Sequence, residues 1–374
     1  MRTGWSKFLF LPLLCAVVCR GSTNEIPFQR SLRLEPQTGN PRNSEGDFIQ
    51  LKDGRVLFIY THFTGGERDD ASAHLASRES RDSGLTWSTN DVVVVENEGG
   101  RNVMSVSLVR LRSGDIALFY LRKNSNTDCR PAVRFARDEA RSWGAPVEVI
   151  TNEIGYYVLN NDRVAQLASG RLIAPVAQHA HTDGKRQPGE ILCYLSDDEG
   201  RSWRCSPQRL AATADGKPVD LMEPGMIEVS SNQLFMVIRT RLGCQYASRS
   251  SDGGEHWSTP EPSALLSPES PATLTILPGT NTLAVIWNDH GDKPLEFRTS
   301  RPPPRTPLSI AFSHDGGRTW SKSKTIESDP EAGYCYTAAE WMGNRLLLGY
   351  CAHRSRWGLQ TIQIISIERF QIER

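Results

Sequence analysis

Short apolar stretches alternate with polar turns along the whole chain, and six times two such stretches flank one turn. Alternating apolar and polar positions are typical of β-strands with one buried face. The six hairpin sequences are FIQLKDGRVLFIY, VSLVRLRSGDIALFYL, RVAQLASGRLIAPVA, MIEVSSNQLFMVI, LTILPGTNTLAVIW and TAAEWMGNRLLLGY. Segments with the period of an amphipathic helix are scarce, so the pattern predicts an all-β protein.

A second repeated pattern is an eight-residue turn, Ser-x-Asp-x-Gly-x-x-Trp, called the Asp-box turn below. Its copies are SRDSGLTW (80–87), SDDEGRSW (196–203), SSDGGEHW (250–257) and SHDGGRTW (313–320), and ARDEARSW (136–143) is a worn fifth copy. Gly supplies a left-handed backbone position, Asp caps exposed amides, and Trp packs on a neighbouring hairpin. The motif therefore predicts a structural turn and carries no chemistry of its own.

The two patterns share one period, because successive Asp-box tryptophans are 56, 60, 54 and 63 residues apart. Six units of about four strands each predict a six-bladed β-propeller over residues 23–374. Two stacked β-sandwiches would explain the alternation but not the common period. We expect the last strand, near Gln360–Ile372, to pair with the region Ile26–Leu34, because this closure removes the exposed edges of an open array.

The balance of charge narrows the class of partner. The 374 residues include 43 Lys and Arg and 43 Asp and Glu, so no basic surface for nucleic acid or a polybasic membrane contact is indicated. Phe8–Cys19 is an apolar run that is too short to span a bilayer and follows basic residues, and no other long apolar run occurs. We predict a cleaved signal peptide at residues 1–22 and a secreted or periplasmic protein. A lipid anchor at Cys15 or Cys19 is a weaker alternative, because bulky residues precede both.

Six cysteines follow this signal, without the spacing of a metal site. Cys335 and Cys351 are symmetric about one predicted turn, and Cys193 and Cys205 are symmetric about another. Residues opposite each other on antiparallel strands are close enough to bridge, and export permits disulfides. Both pairs are therefore possible disulfides, and buried free thiols are the alternative.

Polar residues recur where the inner strands of the predicted blades meet the central axis. Glu223 opens the hairpin EPGMIEVSSNQLFMVIRT and Arg239 closes it, so antiparallel pairing brings them to the same rim. The other candidates at this level are Arg42, Asp69, Asp70, Asn161, Asp162, Arg163, Arg305 and Tyr336. Converging arginines, carboxylates and a tyrosine favour a site for an anionic ligand. A solvated surface ion pair is the alternative for Glu223 and Arg239.

In these features the chain resembles the sialidase (neuraminidase) superfamily, in particular bacterial-type exo-α-sialidases with Asp-box (BNR) repeats. The resemblance covers almost all of the predicted mature chain. It implies release of terminal sialic acids from glycans by a tyrosine nucleophile paired with Glu, an Asp acid/base, and three arginines on the substrate carboxylate.

The resemblance assigns these roles residue by residue. Tyr336 in GYCYTA matches the nucleophile, Glu223 its partner, Arg239 the second arginine, and Arg305 in RTPLSIAFSHDGG the third. NPRNSEGDFIQL replaces the family's Arg-Ile-Pro, so position alone makes Arg42 the first arginine. The loop GGERDDASAHLASRES offers Asp69 and Asp70 as the acid/base, and the spacing favours Asp69. Asn161, Asp162 and Arg163 are candidates both for substrate contact and for a structural role.

This chemistry is consistent for an acidic sugar. A carboxylate nucleophile would be repelled by the substrate anion, whereas a neutral phenol whose proton passes to Glu223 would not. The scheme needs no cofactor and no metal. Two other functions remain open: a propeller glycosidase or lyase for other acidic sugars, and a non-catalytic glycan-binding propeller.

Overall fold

The computed structural model describes residues 25–182, 185–301, 304–354 and 359–373. The predicted signal peptide at residues 1–22 lies outside the described residues. Almost all regular structure is β, with two short helices, α1 (Leu295–Arg298) and α2 (Arg369–Glu373). The strands form six antiparallel sheets around a central axis, which confirms the six-bladed β-propeller.

The first strand, β1 (Gln29–Leu34), belongs to the last blade. Blade one contains β2 (Arg42–Gln50), β3 (Val56–Phe63), β4 (Ala73–Ser80) and β5 (Val92–Val95). Blade two contains β6 (Asn102–Arg110), β7 (Ile116–Lys123), β8 (Cys129–Ala136) and β9 (Val147–Glu148). Blade three contains β10 (Tyr157–Val158), β11 (Ala165–Gln166), β12 (Leu172–Gln178), β15 (Glu190–Ser196) and β16 (Arg204–Cys205).

Blade four contains β19 (Met222–Ser230), β20 (Gln233–Arg239), β21 (Cys244–Ser250) and β22 (Glu261–Leu266). Blade five contains β23 (Thr273–Ile276), β24 (Leu283–Asn288), β25 (Leu308–Ser313) and β26 (Lys324–Glu327). Blade six contains β27 (Gly333–Met342), β28 (Arg345–His353), β29 (Ile362–Glu368) and β1. Two small hairpins lie outside the blades, β13 (His181–Thr182) with β14 (Lys185–Arg186) and β17 (Thr213–Ala214) with β18 (Lys217–Pro218).

The ring closes through β1, which pairs antiparallel with β29 from Gln29 opposite Ser366 to Leu34 opposite Ile362. This pairing confirms the predicted closure. The apolar core consists of clusters that each join neighbouring blades. One cluster joins Phe48 of blade one to Leu347 of blade six, and another joins Leu283 of blade five to Phe235 of blade four. Burial of apolar surface between blades is therefore what holds the ring together.

The Asp-box turns have the predicted chemistry. In the turn of blade five, the Asp315 carboxylate accepts the amide of Thr319 at 2.9 Å, and the Ser313 hydroxyl accepts the amide of Gly317 at 2.8 Å. Gly317 has φ +82°, and a Cβ added there would lie 2.6 Å from the ring of Phe235 in blade four. The glycine is thus required both by its left-handed backbone and by the close approach of the next blade.

Gly317→Ala is expected to lower the free energy of unfolding by about 2–4 kcal/mol, since overpacking against Phe235 adds to the left-handed backbone cost. Gly279→Ala is the matched control, because Gly279 has φ +73° but open space around the added Cβ. Gly279→Ala should lower the free energy of unfolding by only about 1–2 kcal/mol. Urea unfolding of both variants measures the difference, and equal losses would contradict a packing role for Gly317.

Candidate active site

The candidate site lies where the inner strands of the blades begin. Four of these strands carry a β-bulge, and in each bulge one residue other than glycine has a positive φ: Glu45 (50°), Ser105 (61°), Glu223 (40°) and Tyr336 (55°). A bulge re-aims a side chain, and left-handed residues other than glycine cost about 1–3 kcal/mol each and cluster at functional sites. Glu223 and Tyr336 are the two of these four to which the resemblance assigns a catalytic role.

Tyr336 and Glu223 form a direct pair at this level. The phenol of Tyr336 donates to Oε1 of Glu223 at 3.2 Å, and Nη1 of Arg239 donates to the phenol oxygen at 3.3 Å. The same nitrogen contacts Oε2 of Glu223. Burial and the Glu223 carboxylate raise the pKa of Tyr336 well above its ordinary value, against the opposite influence of Arg239 and Arg305. Tyr336 is therefore a neutral phenol at neutral pH, with an acceptor already in place for its proton.

Arg305 lies on the other side of the phenol. Its Cζ is 5.5 Å from the centroid of the Tyr336 ring, and its Nη1 donates to Sγ of Cys335 at 3.1 Å. Arg239 and Arg305 are both almost completely buried. Arg239 at the phenol oxygen and Arg305 near the phenol ring thus bring two guanidinium groups to Tyr336.

Arg42 provides the third fork, in blade one. Nη1 of Arg42 lies 2.5 Å from Oδ1 of Asp69, and Nη2 donates to the Ser44 hydroxyl at 3.1 Å. The guanidinium also stacks on the ring of Phe63, with 4.5 Å between Cζ and the ring centroid. Arg305 contributes to the electrostatic environment of Asp69 as well, so blades one and five face the same space.

Asp69 stands at the mouth of this space. Its side chain is 62% exposed, whereas that of Arg42 is only 2% exposed. Partial desolvation of the carboxylate works to raise the pKa of Asp69, but the charge and hydrogen bond of Arg42 outweigh this desolvation. The pKa of Asp69 therefore lies below its ordinary value. Asp70, the other acid/base candidate, has its carboxylate 3.3 Å from Nε of Arg68 and makes no contact with the three arginines. The structure therefore brings Asp69, and not Asp70, to the cluster.

Asn161, Asp162 and Arg163 lie beneath the site. The Asn161 amide donates to the carbonyl oxygens of Gly46 and Tyr336, both at 3.0 Å. Asp162 accepts the amide of Ala339 at 3.0 Å, and Arg163 donates to the carbonyl of Ala272 at 3.2 Å. All three thus bond to the protein's own groups. These contacts favour the structural alternative, and substrate contact stays a prediction.

Three further polar residues belong to the site, and two of them, Glu269 and Lys123, were missed. Glu269, in the loop between blades four and five, accepts from Arg239 and Arg241 at 3.0 Å each and lies 3.5 Å from Arg301. This loop has no repeated pattern that could have revealed it. Lys123 and Asn102 are cross-strand partners in blade two, and both donate to the backbone carbonyl of Asp69, at 3.1 and 2.9 Å. The symmetry of their hairpin could have indicated this pair.

The predicted disulfides have different outcomes. Among the described residues the cysteines are free thiols. Cys335 lies directly opposite Cys351, as its turn symmetry predicts. Cys205 lies opposite Tyr194 instead, so the expected pairing with Cys193 is wrong by one residue. Successive side chains of a strand point to opposite faces, so this shift separates the two sulfurs.

Residues 59–346 match the family model described as the BNR repeat-like domain. The chain belongs to the BNR repeat-like domain family. Its fold is similar to that of a protein of unknown function from Dyadobacter fermentans, with a TM-score of 0.70, 16% identity, and 91% and 98% of the two chains covered. Two sialidases are similar as well. For NanB from Streptococcus pneumoniae the TM-score is 0.69 at 16% identity, covering 92% of this chain and 71% of that one. For the Trypanosoma rangeli sialidase the TM-score is 0.72 at 13% identity, covering 94% of this chain and 60% of that one.

A shared fold at such low sequence identity does not establish a shared activity. For this BNR repeat protein the site's own residues have to carry the functional conclusion. In the described residues no helix has the length and apolar character to cross a membrane. The same residues contain no group of three or more His, Cys, Asp or Glu side chains placed to hold a metal ion.

Proposed function

We propose that this protein is a secreted exo-α-sialidase-like glycoside hydrolase that removes terminal sialic acid, or a related acidic 2-keto sugar, from glycans. The single observation that carries the proposal is the Tyr336–Glu223 pair flanked by Arg239 and Arg305. A partly buried phenol with a carboxylate acceptor and two neighbouring guanidinium groups suits attack on an anomeric carbon that itself bears a carboxylate.

In the proposed reaction the three arginines bind the substrate carboxylate. The Tyr336 oxygen attacks the anomeric carbon while its proton passes to Glu223, and Asp69 protonates the departing glycosidic oxygen. Asp69 then removes a proton from water, which displaces the tyrosine and gives net retention. Turnover of a fluorogenic sialoside tests the proposal, and lack of turnover across a panel of acidic 2-keto glycosides would overturn it.

Asp69 cannot act as an acid while it is held ionised by Arg42. The contact between Arg42 and Asp69 implies an exchange, in which the substrate carboxylate takes over the guanidinium and Asp69 loses its strongest counter-ion. Loss of that partner raises the pKa of Asp69 toward the value an acid needs, although Lys123 and Arg305 still face it. Binding of an anion is thereby coupled to protonation of the acid.

We therefore expect proton uptake on binding of an unreactive, 2,3-unsaturated sialic acid analogue between about pH 4 and 6, because a group whose pKa rises on binding takes up a proton. Affinity should fall as the pH rises through this window. Calorimetry in buffers of different ionisation enthalpy measures the uptake. Asp69→Asn should abolish it and the neighbouring Asp70→Asn should keep it, while uptake unchanged in Asp69→Asn would contradict the exchange.

A second candidate, a glycosidase or lyase for other acidic sugars, is favoured by one specific observation. Glu45 lies 3.5 Å from Nη2 of Arg42, contacts the Ser105 hydroxyl, and is almost fully buried. Burial raises the pKa of Glu45 to about 8, despite the opposing influence of Arg42. A second acid beside the first arginine would suit a different proton transfer. Preference for uronic acid glycosides, or release of unsaturated products, would favour this candidate, and glycan binding without product would favour a non-catalytic propeller.

A further inference from the structure

Two thiols lie directly under the arginine cluster. Cys335 in β27 and Cys351 in β28 are opposite each other in the antiparallel ladder, and both are buried. Cys335 is the residue before Tyr336, so its backbone is continuous with the bulge that presents the phenol. Opposed positions of this kind bring Cβ atoms within the range that a disulfide requires.

The thiols are part of a polar chain that joins two of the three arginines. Nη1 of Arg305 donates to Sγ of Cys335 at 3.1 Å. On the other side, Sγ of Cys351 lies 3.3 Å from the Ser44 hydroxyl, which in turn accepts from Arg42. Any chemical change at the sulfurs therefore reaches the groups proposed to hold the substrate anion.

The surroundings shift the pKa values of the two thiols in opposite directions. Burial works to raise the pKa of Cys335, but its hydrogen bond with Cys351 and the charge of Arg305 outweigh burial, so the pKa lies below its ordinary value. Burial raises the pKa of Cys351 well above its ordinary value, and that of Cys129 to about 12. An activated thiol beside a second, protonated thiol is the arrangement of a cysteine that is oxidised and then resolved.

We infer that Cys335 and Cys351 are a redox-modification site whose oxidation releases Arg305 for the substrate carboxylate. With a peroxide as oxidant, Cys335 sulfur attacks one peroxide oxygen and becomes a sulfenic acid while the other oxygen leaves as water. Cys351 then attacks that sulfur, the S–S bond forms, and the hydroxyl leaves as a second water. The net change is two thiols and one peroxide to one disulfide and two waters, so the sulfurs are oxidised and the peroxide reduced.

The direction of the effect follows from what Arg305 contacts. A thiol or thiolate accepts its hydrogen bond and competes with a substrate anion for the guanidinium. A disulfide sulfur bears no charge and is a weaker hydrogen-bond acceptor than a thiol or thiolate. After oxidation the sulfur therefore competes less for the Arg305 guanidinium, and Arg305 binds the substrate carboxylate more strongly. The inference rests on the proposed function for its effect on turnover, but the disulfide itself does not depend on it.

The experiment compares the full chain in two redox states. The protein is reduced with a phosphine, one half is treated with stoichiometric hydrogen peroxide, and both halves are examined by intact mass and non-reducing peptide mapping. We expect the loss of two hydrogens, mapped to Cys335–Cys351. On a fluorogenic sialoside the oxidised form should have a KM lower by about three- to tenfold with kcat within about twofold, a change in ground-state binding.

Two variants make the result specific. Cys351→Ser keeps a partner for Ser44 but cannot form the disulfide. Oxidation of Cys335 stops at the sulfenic acid, which still accepts from Arg305, so the fall in KM assigned to the disulfide should be absent. Cys193→Ala, which removes a buried thiol far along the chain from this site, should keep the full response. A peroxide-treated protein without the Cys335–Cys351 link, or with the link but an unchanged KM, would overturn the inference.

Absence of turnover in both redox states would count against the proposed function instead. Binding of free N-acetylneuraminate by calorimetry then decides the inference: tighter binding to the oxidised form supports it, and equal binding overturns it.

Discussion

Replacement of Tyr336 by phenylalanine is expected to lower kcat on a sialoside by at least about 10³-fold, because the attacking oxygen is lost while the ring remains. KM should change little, since the phenol contributes one hydrogen bond and the arginines remain. The variant should fold normally, because within the described part of the chain the hydroxyl bonds to two side chains, Glu223 and Arg239. Steady-state kinetics on a fluorogenic sialoside and a urea unfolding curve measure the two effects.

Tyr334→Phe is the matched control. Tyr334 lies two residues earlier in the same strand, is buried, and packs its ring against Tyr350 with 6.1 Å between centroids, away from the Tyr336–Glu223 pair. We expect its kcat to stay within about threefold of the parent. If Tyr336→Phe kept a tenth or more of the activity, another group would have to be the nucleophile.

Replacement of Glu223 by glutamine is expected to lower kcat by about 10²–10⁴-fold, the range for loss of a general base. The amide has the shape of the carboxylate and still accepts from Arg239, but it cannot take the phenol proton. Because Glu223 also balances the charge of Arg239, the change should raise affinity for a simple anion rather than lower it. Single-turnover kinetics and calorimetric titration with free N-acetylneuraminate measure these two effects separately.

Glu228→Gln provides the comparison for this change. Glu228 is in the same strand, β19, and its carboxylate accepts backbone amides of Ala168 at 2.6 Å and Asn232 at 2.8 Å. It should leave kcat unchanged while lowering stability slightly, since an amide oxygen is a weaker acceptor than a carboxylate. A fall in kcat of similar size in both variants would indicate a general effect on the blade.

The fold could be predicted from sequence because its determinants are local. Each hairpin has a strand–turn–strand pattern, and each Asp-box turn has fixed positions for Asp and Gly. The pairing of Cys335 with Cys351 followed from a turn that is symmetric about Gly343. The same logic failed for Cys193 and Cys205, because the intervening Asp-box turn shifts the register by one residue.

The site was predictable only in part, since it depends on contacts between distant segments. Glu223 and Arg239 are near in sequence and share a hairpin, so their proximity followed from antiparallel pairing. Glu269 reaches Arg239 from a loop without a repeat. Glu45 was placed at the rim but given no role, because the bulge that turns it toward Arg42 has no sequence signature. For Asn161, residue type alone could not separate a ligand contact from a bond to a carbonyl across the axis.

The pairing of β1 with β29 has a consequence for synthesis on the ribosome. Residues 29–34 are synthesised before blades one to five, but their partner strand β29 is synthesised after them. The last blade must therefore wait, with an unsatisfied strand edge, until both segments are available, and long-range pairings of this kind form slowly. A nascent chain stalled before residue 362 would lack β29, so β1 would have no pairing partner and would be open to cleavage by proteases.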